Sequence, residues 1–256
     1  MTNLNRRQAL GALGSVSLAS LLAACGSDEQ PSASTSTTSG ERTVRTATTP
    51  MVTFASKLTA EEFESAATCP VATEAIEGPY YFDVDSIRAD IREDREGTLL
   101  RLGVRVRDAQ SCEPIENAII DVWHCDATGL YSGFESASMG GPGGGRSDDE
   151  TYLRGAQATN ADGIVEFKTI YPGWYRGRTT HIHAKVHLDR STLLTTQLYT
   201  NNAFDEKVHG GEPYAENTGR DTFNDGDFLY VDEGELTLSM KGGTVIGLIT
   251  LDVRRT

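Results

Sequence analysis

Alternating apolar and polar residues are the dominant pattern in the second half of the chain. Residues 99–108 alternate with a period of two, which predicts a strand with one buried face. Residues 118–123 form an apolar run that predicts a buried strand, and a turn at residues 160–163 leads into another strand at 164–167. Residues 180–188, 195–200 and 244–253 predict three more strands. Many short strands with little helix predict an all-β fold, an antiparallel β-sandwich.

One short helical segment is expected before the strands, at residues 59–67. Thr59 can cap it, and Glu61 and Glu62 would lie in its first turn, where negative charge is favourable.

The first 24 residues have the pattern of an export signal. Arg6 and Arg7 precede a run of small and apolar residues that is too short and too rich in Gly and Ser for a good membrane span. The arginine pair indicates the twin-arginine route. Residues 22–25, Leu-Ala-Ala-Cys, resemble a bacterial lipobox in which Cys25 is acylated. We expect a protein anchored to the membrane by lipid, on the extracytoplasmic side of a bacterial cell. An ordinary secretory signal with an incidental cysteine is the alternative.

The remaining chain divides into a tether and one domain. Residues 25–52 are rich in Ser, Thr, Gly and Pro and cannot bury enough apolar surface to offset the entropy of ordering, so we predict a disordered tether. Residues 53–256 then form a single domain. The net charge of −14 disfavours a nucleic-acid partner. The oligomeric state stays open, a homodimer included.

Candidate metal ligands concentrate between residues 169 and 187. His181 and His183 stand two apart in a predicted strand, so their side chains face the same side. Tyr175 precedes them after a Pro-Gly turn, and Tyr131 stands in a matching context upstream. Phenolate oxygen is a hard donor that suits ferric iron, whereas zinc sites usually use Cys, His or carboxylate. His187 has the same strand parity but lies about 13 Å beyond His183, too far to share one ion, and is assigned a structural role.

Four spaced segments together resemble the intradiol ring-cleavage dioxygenases, the catechol, hydroxyquinol and protocatechuate dioxygenases. They are residues 77–81 (Glu-Gly-Pro-Tyr-Tyr), 121–132 (Asp-Val-Trp-His-Cys-Asp-Ala-Thr-Gly-Leu-Tyr-Ser), 169–175 (Thr-Ile-Tyr-Pro-Gly-Trp-Tyr) and 178–183 (Arg-Thr-Thr-His-Ile-His). They occur in the family's order within residues 69–205. The resemblance implies the same sandwich architecture.

The resemblance also implies an Fe(III) site, with Tyr175 and His181 axial, Tyr131 and His183 equatorial, and a hydroxide completing the coordination. A catechol would bind through both oxygens and displace Tyr175, which would act as a base. The ferric catecholate would be attacked by O2 and rearrange through an anhydride to a cis,cis-muconate.

Further site residues follow from the same resemblance. Arg178 corresponds to the family's active-site arginine, and Gln197 to the glutamine of the catechol-cleaving members. Pro79 and Tyr80 belong to the segment beside the substrate pocket. Only five residues separate Tyr175 from His181, fewer than in the well-known cytoplasmic members. A more open pocket is therefore expected, and the preferred ring substituent stays undetermined.

The cysteines leave several arrangements open. Cys112 and Cys125 flank one predicted strand, so a bridge between them is unfavourable, because disulfides require Cα atoms within about 7 Å. Cys69 can pair with either and leave one thiol over. Ligation of iron by Cys125 is the weaker alternative to the oxygen and nitrogen donors nearby.

Two other interpretations remain. The Gly-rich segment at residues 136–149 is a mobile surface loop or a lid over the substrate. The alternative function is that of a non-enzymatic surface lipoprotein, a β-sandwich that binds a metal or a glycan. In that view the histidine pair would hold copper or zinc, and the tyrosines would be packing residues.

Cys25→Ser tests the predicted lipid anchor. The variant should leave the membrane fraction while any dioxygenase activity remains intact, because the tether lies outside the predicted domain. Fractionation of cells followed by immunoblotting measures this. A variant that stayed in the membrane fraction would show that the lipobox interpretation is wrong.

Overall fold

Two four-stranded sheets make up the folded part of the protein, in a computed structural model that describes residues 56–63, 68–138 and 145–255. The strands are β1 (Leu99–Asp108), β2 (Ile119–Trp123), β3 (Arg154–Ala158), β4 (Ile164–Ile170), β5 (His181–Leu188), β6 (Ser191–Tyr199), β7 (Thr237–Lys241) and β8 (Thr244–Val253). The helices are α1 (Glu135–Ser138) and α2 (Asn202–His209). Residues 1–55, which hold the predicted signal, Cys25 and the whole predicted tether, lie outside the described residues.

The two sheets have the strand orders β4-β1-β8-β7 and β3-β2-β5-β6. All neighbours are antiparallel except β1 and β8, which run parallel over residues 100–108 and 245–253. The all-β sandwich expected from the sequence is therefore confirmed, with one parallel pair that the alternation pattern could not reveal.

The core lies between the inner faces of the sheets. Every second residue of β1 contributes to it, and so do alternate residues of β2 and β5, as expected for strands with a period of two. These buried side chains include Leu100, Leu102, Val104, Val106, Ile120, Val122, Ile182, Ala184 and Val186.

The outer face of β1 is also covered, which the predicted half-buried strand did not suggest. Arg107 forms two hydrogen bonds of 2.8 and 2.9 Å with Asp252 on the neighbouring strand, and both side chains are buried. Leu58 and Phe63 pack with Ile164 over the same sheet. Pairing the charges makes their burial tolerable, since an unpaired buried charge would cost several kcal/mol.

The helix predicted at residues 59–67 is wrong in extent. A single 3-10 turn spans Ala60–Glu62, and Phe63 is extended, with φ −90° and ψ 135°. The Glu62 carboxylate accepts a hydrogen bond from the Thr59 amide at 2.8 Å, which closes the turn. Packing of Phe63 against the sheet outweighs the weak local preference for helix. Residues 64–67 lie outside the described part.

A disulfide joins Cys69 to Cys112, and Cys125 is a buried free thiol. This is one of the arrangements that the sequence left open. Among the described residues, no helix has the length and apolar character needed to cross a membrane.

Residues 75–88 run across the outer face of the second sheet. The amide of Ala75 bonds to Thr195 O at 2.8 Å, and the amide of Arg88 to Ala156 O at 3.0 Å. Between these points the Tyr81 hydroxyl donates to Asp121 Oδ2 at 3.0 Å. This segment therefore covers side chains of β2, β5 and β6 that would otherwise face solvent.

Asp121 makes the stability of this cover depend on pH. Burial raises the pKa of its carboxyl to about 6, although the Tyr81 hydrogen bond opposes the shift. The ordinary value is about 3.9. Because the folded pKa is the higher one, the stabilisation is fully present below pH ~3.9 and is lost as the pH rises through about 6.

Asp121→Asn should therefore remove a decline in unfolding free energy on the order of 2–3 kcal/mol between pH 4 and 7. Chemical unfolding of both proteins across that range measures the difference. Asp225→Asn, at an exposed carboxylate, is the control and should keep the wild-type decline. Parallel profiles for the wild type and Asp121→Asn would contradict the assignment.

Candidate metal centre

The strand register places several polar and aromatic side chains on one level of the outer face. His183 on β5 pairs with Trp123 on β2 and with Gln197 on β6. The Trp123 and His183 rings stack with centroids 4.8 Å apart and planes 10° apart. His181 lies two residues earlier on β5, on the same side, opposite Tyr199. The strand thus presents both imidazoles to one point above the sheet.

Four donor atoms converge at that point. His181 Nε2 is 3.2 Å from His183 Nε2, 3.2 Å from the Tyr175 hydroxyl and 3.5 Å from the Tyr131 hydroxyl. Tyr131, His181 and His183 are buried, and Tyr175 is partly exposed. The structure therefore brings together all four residues that the sequence and the resemblance single out as metal ligands.

Two loops carry the tyrosines and pack against each other. Tyr131 follows β2 in a loop in which Asp126 Oδ1 accepts from the amides of Thr128 and Leu130 at 2.9 and 3.0 Å. Tyr175 lies in the loop between β4 and β5. Gly129 adopts φ +91°, and a Cβ there would lie 2.4 Å from the Trp174 carbonyl oxygen. Only glycine meets both conditions, so this residue allows the close approach of the two loops.

Both histidines are held neutral, and His181 presents the lone pair of its Nε2. His181 Nδ1 lies 2.6 Å from the Thr179 carbonyl oxygen, which can only accept, so Nδ1 carries the proton. Burial lowers the pKa of His181 to about 3, with a smaller contribution from the Arg178 charge. Burial lowers the pKa of His183 well below its usual value, and the neighbouring His181 makes a smaller contribution in the same direction. Neutral imidazole with an available lone pair is the form that binds metals.

The donor set fits ferric iron. Metal–donor bonds of about 2.0–2.1 Å put neighbouring donors roughly 3 Å apart, which is close to the separations above. Burial raises the pKa of both Tyr131 and Tyr175, so a cation bound by phenolates must displace two protons. A trivalent, hard cation is best suited to do so. Among the described residues, no three His, Cys, Asp or Glu side chains form a metal-binding cluster, and the candidate donor set includes the two phenols.

Arg178 lies at the edge of the donor cluster. Its Nη1 is 3.5 Å from His181 Nε2, and its Nε donates to Asp227 Oδ2 at 2.9 Å. Its Nη2 donates to Gln197 Oε1. Gln197 is fully buried and donates from Nε2 to the Ile76 carbonyl oxygen at 3.1 Å. The two residues therefore form one hydrogen-bonded unit beside the cluster, fixed by a buried carboxylate.

A cavity of about 530 Å³ opens beside Tyr175. Tyr80 lines it together with Trp174 and Arg176, and its ring centroid lies 4.7 Å from that of Tyr131. Pro79 is exposed on the preceding turn. Gly78 adopts φ +77°, and a Cβ there would lie 3.2 Å from His183 Cε1, so this turn sits directly on the imidazole. The size of the cavity is ordinary for a small-molecule site.

The other sequence candidates lie apart from the donors. His187 Nδ1 is 3.0 Å from the Thr192 hydroxyl, beyond a bulge at residues 186/187. The Cys125 thiol donates to the Gly173 carbonyl oxygen at 3.4 Å, and burial raises its pKa. Of the Gly-rich segment, residues 139–144 lie outside the described part, so the lid stays a hypothesis.

Two residues at the site were missed in the sequence. Asp227 holds Arg178 but lies 49 residues away in a loop without a recognisable motif. Trp123 belongs to segment 121–132. Pairing β2 with β5 brings it opposite His183 and therefore beside the site.

Comparisons with known proteins agree with this geometry. A family described as Dioxygenase matches residues 76–219. Catechol 1,2-dioxygenase 1 of Acinetobacter lwoffii is 29% identical over 199 residues, which is 68% of this chain and 55% of that protein. The chain thus spans about half the length of the curated relatives it matches.

Solved structures give the same result. An intradiol ring-cleavage dioxygenase of Tetranychus urticae has a TM-score of 0.68 at 29% identity, covering 73% of this chain and 95% of that one. The dioxygenase domain of a dioxygenase carbohydrate-binding protein fusion from Streptomyces sp. SirexAA-E has a TM-score of 0.53 at 28% identity, covering 73% and 100%. Fold and site define a β-sandwich in which two tyrosines and two histidines cluster above one sheet. The chain belongs to the intradiol ring-cleavage dioxygenase family.

Substitution of single donors should separate their roles. His183→Ala and Tyr131→Phe should abolish stable iron binding, because each removes a buried donor that no substrate replaces. Tyr175→Phe should keep some iron and lose most turnover, because this donor is the one expected to leave as a base. Iron content after purification, with folding checked by circular dichroism, measures the difference.

His187→Ala is the matched control on the same strand and should keep the wild-type iron content. Equal iron loss in His183→Ala, Tyr131→Phe and Tyr175→Phe would contradict the division into permanent and displaceable donors.

Proposed function

We propose that the protein is a non-haem Fe(III) intradiol dioxygenase that cleaves catechol-type rings with O2 to cis,cis-muconate-type products. The proposal rests on the convergence of two imidazole nitrogens and two phenol oxygens. His183 Nε2 and the hydroxyls of Tyr175 and Tyr131 all lie within 3.5 Å of His181 Nε2. Membership of the family supports the reaction class. Tyr131, Tyr175, His181 and His183 would hold the iron.

Ferric iron bound there would act as a Lewis acid that favours deprotonation of a chelated catechol and so activates the ring for reaction with O2. The protein's own part begins with Tyr175. It is the donor that lines the cavity, whereas the other three are buried. An incoming catechol would therefore meet Tyr175 first. As a metal-bound phenolate, Tyr175 would take the proton of a catechol hydroxyl and become the neutral phenol.

Arg178 and Gln197 stabilise the negative charge of the bound substrate in this proposal. The Asp227 ion pair and the bond to Gln197 fix the guanidinium beside His181. A preorganised charge of this kind does not have to reorganise during the reaction, which is why such groups accelerate it. Tyr80 and Pro79 form the neighbouring wall and rim of the substrate site.

The rival interpretation, a non-enzymatic binder of metal or glycan, gains no support from the site. Under it the tyrosines would only pack. Their hydroxyls instead lie against the same imidazole nitrogen.

We also propose that the protein is exported and anchored through Cys25. The Cys69–Cys112 disulfide supports this, because disulfides persist in oxidising compartments outside the cytoplasm.

Colour and oxygen uptake test the proposed function. The purified, iron-loaded protein should be burgundy, from phenolate-to-iron charge transfer, and should consume O2 with a panel of catechols to give muconates identified by mass spectrometry. A colourless protein that binds zinc or copper, or a coloured one that consumes no O2 with any catechol, would refute it.

Arg178→Ala should leave iron content and colour largely unchanged and lower the turnover of catechol by roughly 10² to 10³, the usual effect of deleting one preorganised charge. Arg178→Lys should recover only part of the rate, because an ammonium lacks the planar fork that reaches both Asp227 and Gln197.

Loss of Arg178 leaves Asp227 buried without its ion pair. The Arg178→Ala variant is therefore compared with the double variant Arg178→Ala/Asp227→Asn. The double variant should regain thermal stability without regaining rate. Wild-type turnover by either variant at normal iron content would eliminate the catalytic role.

A further inference from the structure

A buried arginine on β3 holds the loop that carries Tyr131. Arg154 is 1% exposed. Its Nε donates to Ser132 Oγ at 2.8 Å, and its Nη2 donates to the Ser132 carbonyl oxygen at 2.8 Å. Ser132 Oγ in turn donates to the Tyr152 carbonyl oxygen at 2.7 Å. The residue directly after Tyr131 is therefore fixed through both its backbone and its side chain.

Aromatic rings hold the guanidinium in place. Arg154 Cζ lies 4.3 Å from the Phe82 ring centroid and 5.7 Å from that of Phe134. Phe82 also packs against Gly133, where a Cβ would lie 2.7 Å from the ring. The loop from Tyr131 to Phe134 thus contacts both Phe82 and Arg154, which stack on each other.

The strand register relates Arg154 to the second half of the metal site. Arg154 pairs with Trp123 across β3 and β2, and Trp123 pairs with His183 across β2 and β5. Trp123 also stacks on the His183 ring. Arg154, Trp123 and His183 consequently lie on one level of the outer face, so Arg154 sits where the Tyr131 loop and the histidine strand meet.

The buried charge of Arg154 is compensated only in part, by its hydrogen bonds to Ser132 and by the more distant Asp121 carboxylate. In the part of the chain that the structure describes, no carboxylate lies within ion-pairing distance of Arg154. Its Nη1 is buried without a hydrogen-bond partner. A buried charge without an ion pair is destabilising relative to an apolar residue of similar volume. Arg107, by contrast, is buried with its charge paired to Asp252.

We propose that Arg154 is a positioning residue of the iron site, which fixes the Ser132 backbone so that the Tyr131 oxygen is held against His181. It touches neither the metal donors' oxygen and nitrogen atoms nor the substrate cavity, and it acts through the loop. This rests on the proposed iron site. Residues that orient metal ligands typically change metal affinity by about 10- to 100-fold when substituted.

Arg154→Lys is the main test, because it keeps the charge and loses the two-pronged hold on Ser132. The full-length protein is stripped of iron and titrated with ferric iron in competition with nitrilotriacetate. We expect the affinity to fall by about 10- to 100-fold. The phenolate-to-iron band of the fraction that binds should shift and broaden, because the Tyr131 oxygen is no longer held in one place.

Arg107→Lys is the matched control, a buried arginine on the other sheet. Both variants should lower the melting temperature of the iron-free protein, but Arg107→Lys should keep the wild-type iron affinity and band. Ser132→Ala is the second variant and removes one of the two Arg154 hydrogen bonds, so it should weaken iron binding in the same direction and by less.

The outcomes separate the two proposals. Wild-type protein that binds no ferric iron would overturn the iron site, and the role of Arg154 with it. Iron binding by the wild type, matched in affinity and spectrum by Ser132→Ala and by any folded Arg154→Lys, would overturn the role of Arg154 alone. If Arg154→Lys does not fold, Ser132→Ala decides by itself.

Discussion

The site depends on one geometric constraint, the period of two along β5. His181 and His183 face the same side of the sheet because alternate residues do, and Ile182 and Ala184 consequently face the core. A shift of one residue in the register of β5 would exchange these sets and bury the imidazoles between the sheets. The register with β2 and β6 therefore determines both the packing of the core and the position of the two candidate histidine ligands.

The outer face of the second sheet is a suitable place for such a site. Polar side chains there do not interrupt the apolar core, which is formed by the opposite face of the same strands. The cover by residues 75–88 removes solvent, so that burial rather than a specific partner keeps both imidazoles neutral. The cost of the cover is visible at Asp121, whose carboxyl is buried enough for its pKa to rise to about 6.

The sequence predicted the parts whose pattern is local. β1 was found at its full length because ten residues alternate regularly, and β5 because its apolar and polar positions do the same. β3 was missed, because Arg-Gly-Ala-Gln-Ala has little strand preference of its own and pairs only through tertiary context. The parallel pairing of β1 with β8 could not be predicted either, since alternation does not encode strand direction. Likewise, the choice of Cys69 as the partner of Cys112 depends on proximity across 43 residues.

The candidate ligands divide in the same way. The histidine pair can be recognised from spacing, because one strand carries both. The tyrosines come from two loops, so their convergence rested on the resemblance and not on any period in the sequence. Arg178 lies close to His181 in sequence, yet the groups that fix it, Asp227 and Gln197, come from other elements. When a site is assembled from one strand and several loops, its candidate ligands can thus be recognised in the sequence. The residues that orient those ligands are recognised only once the fold is known.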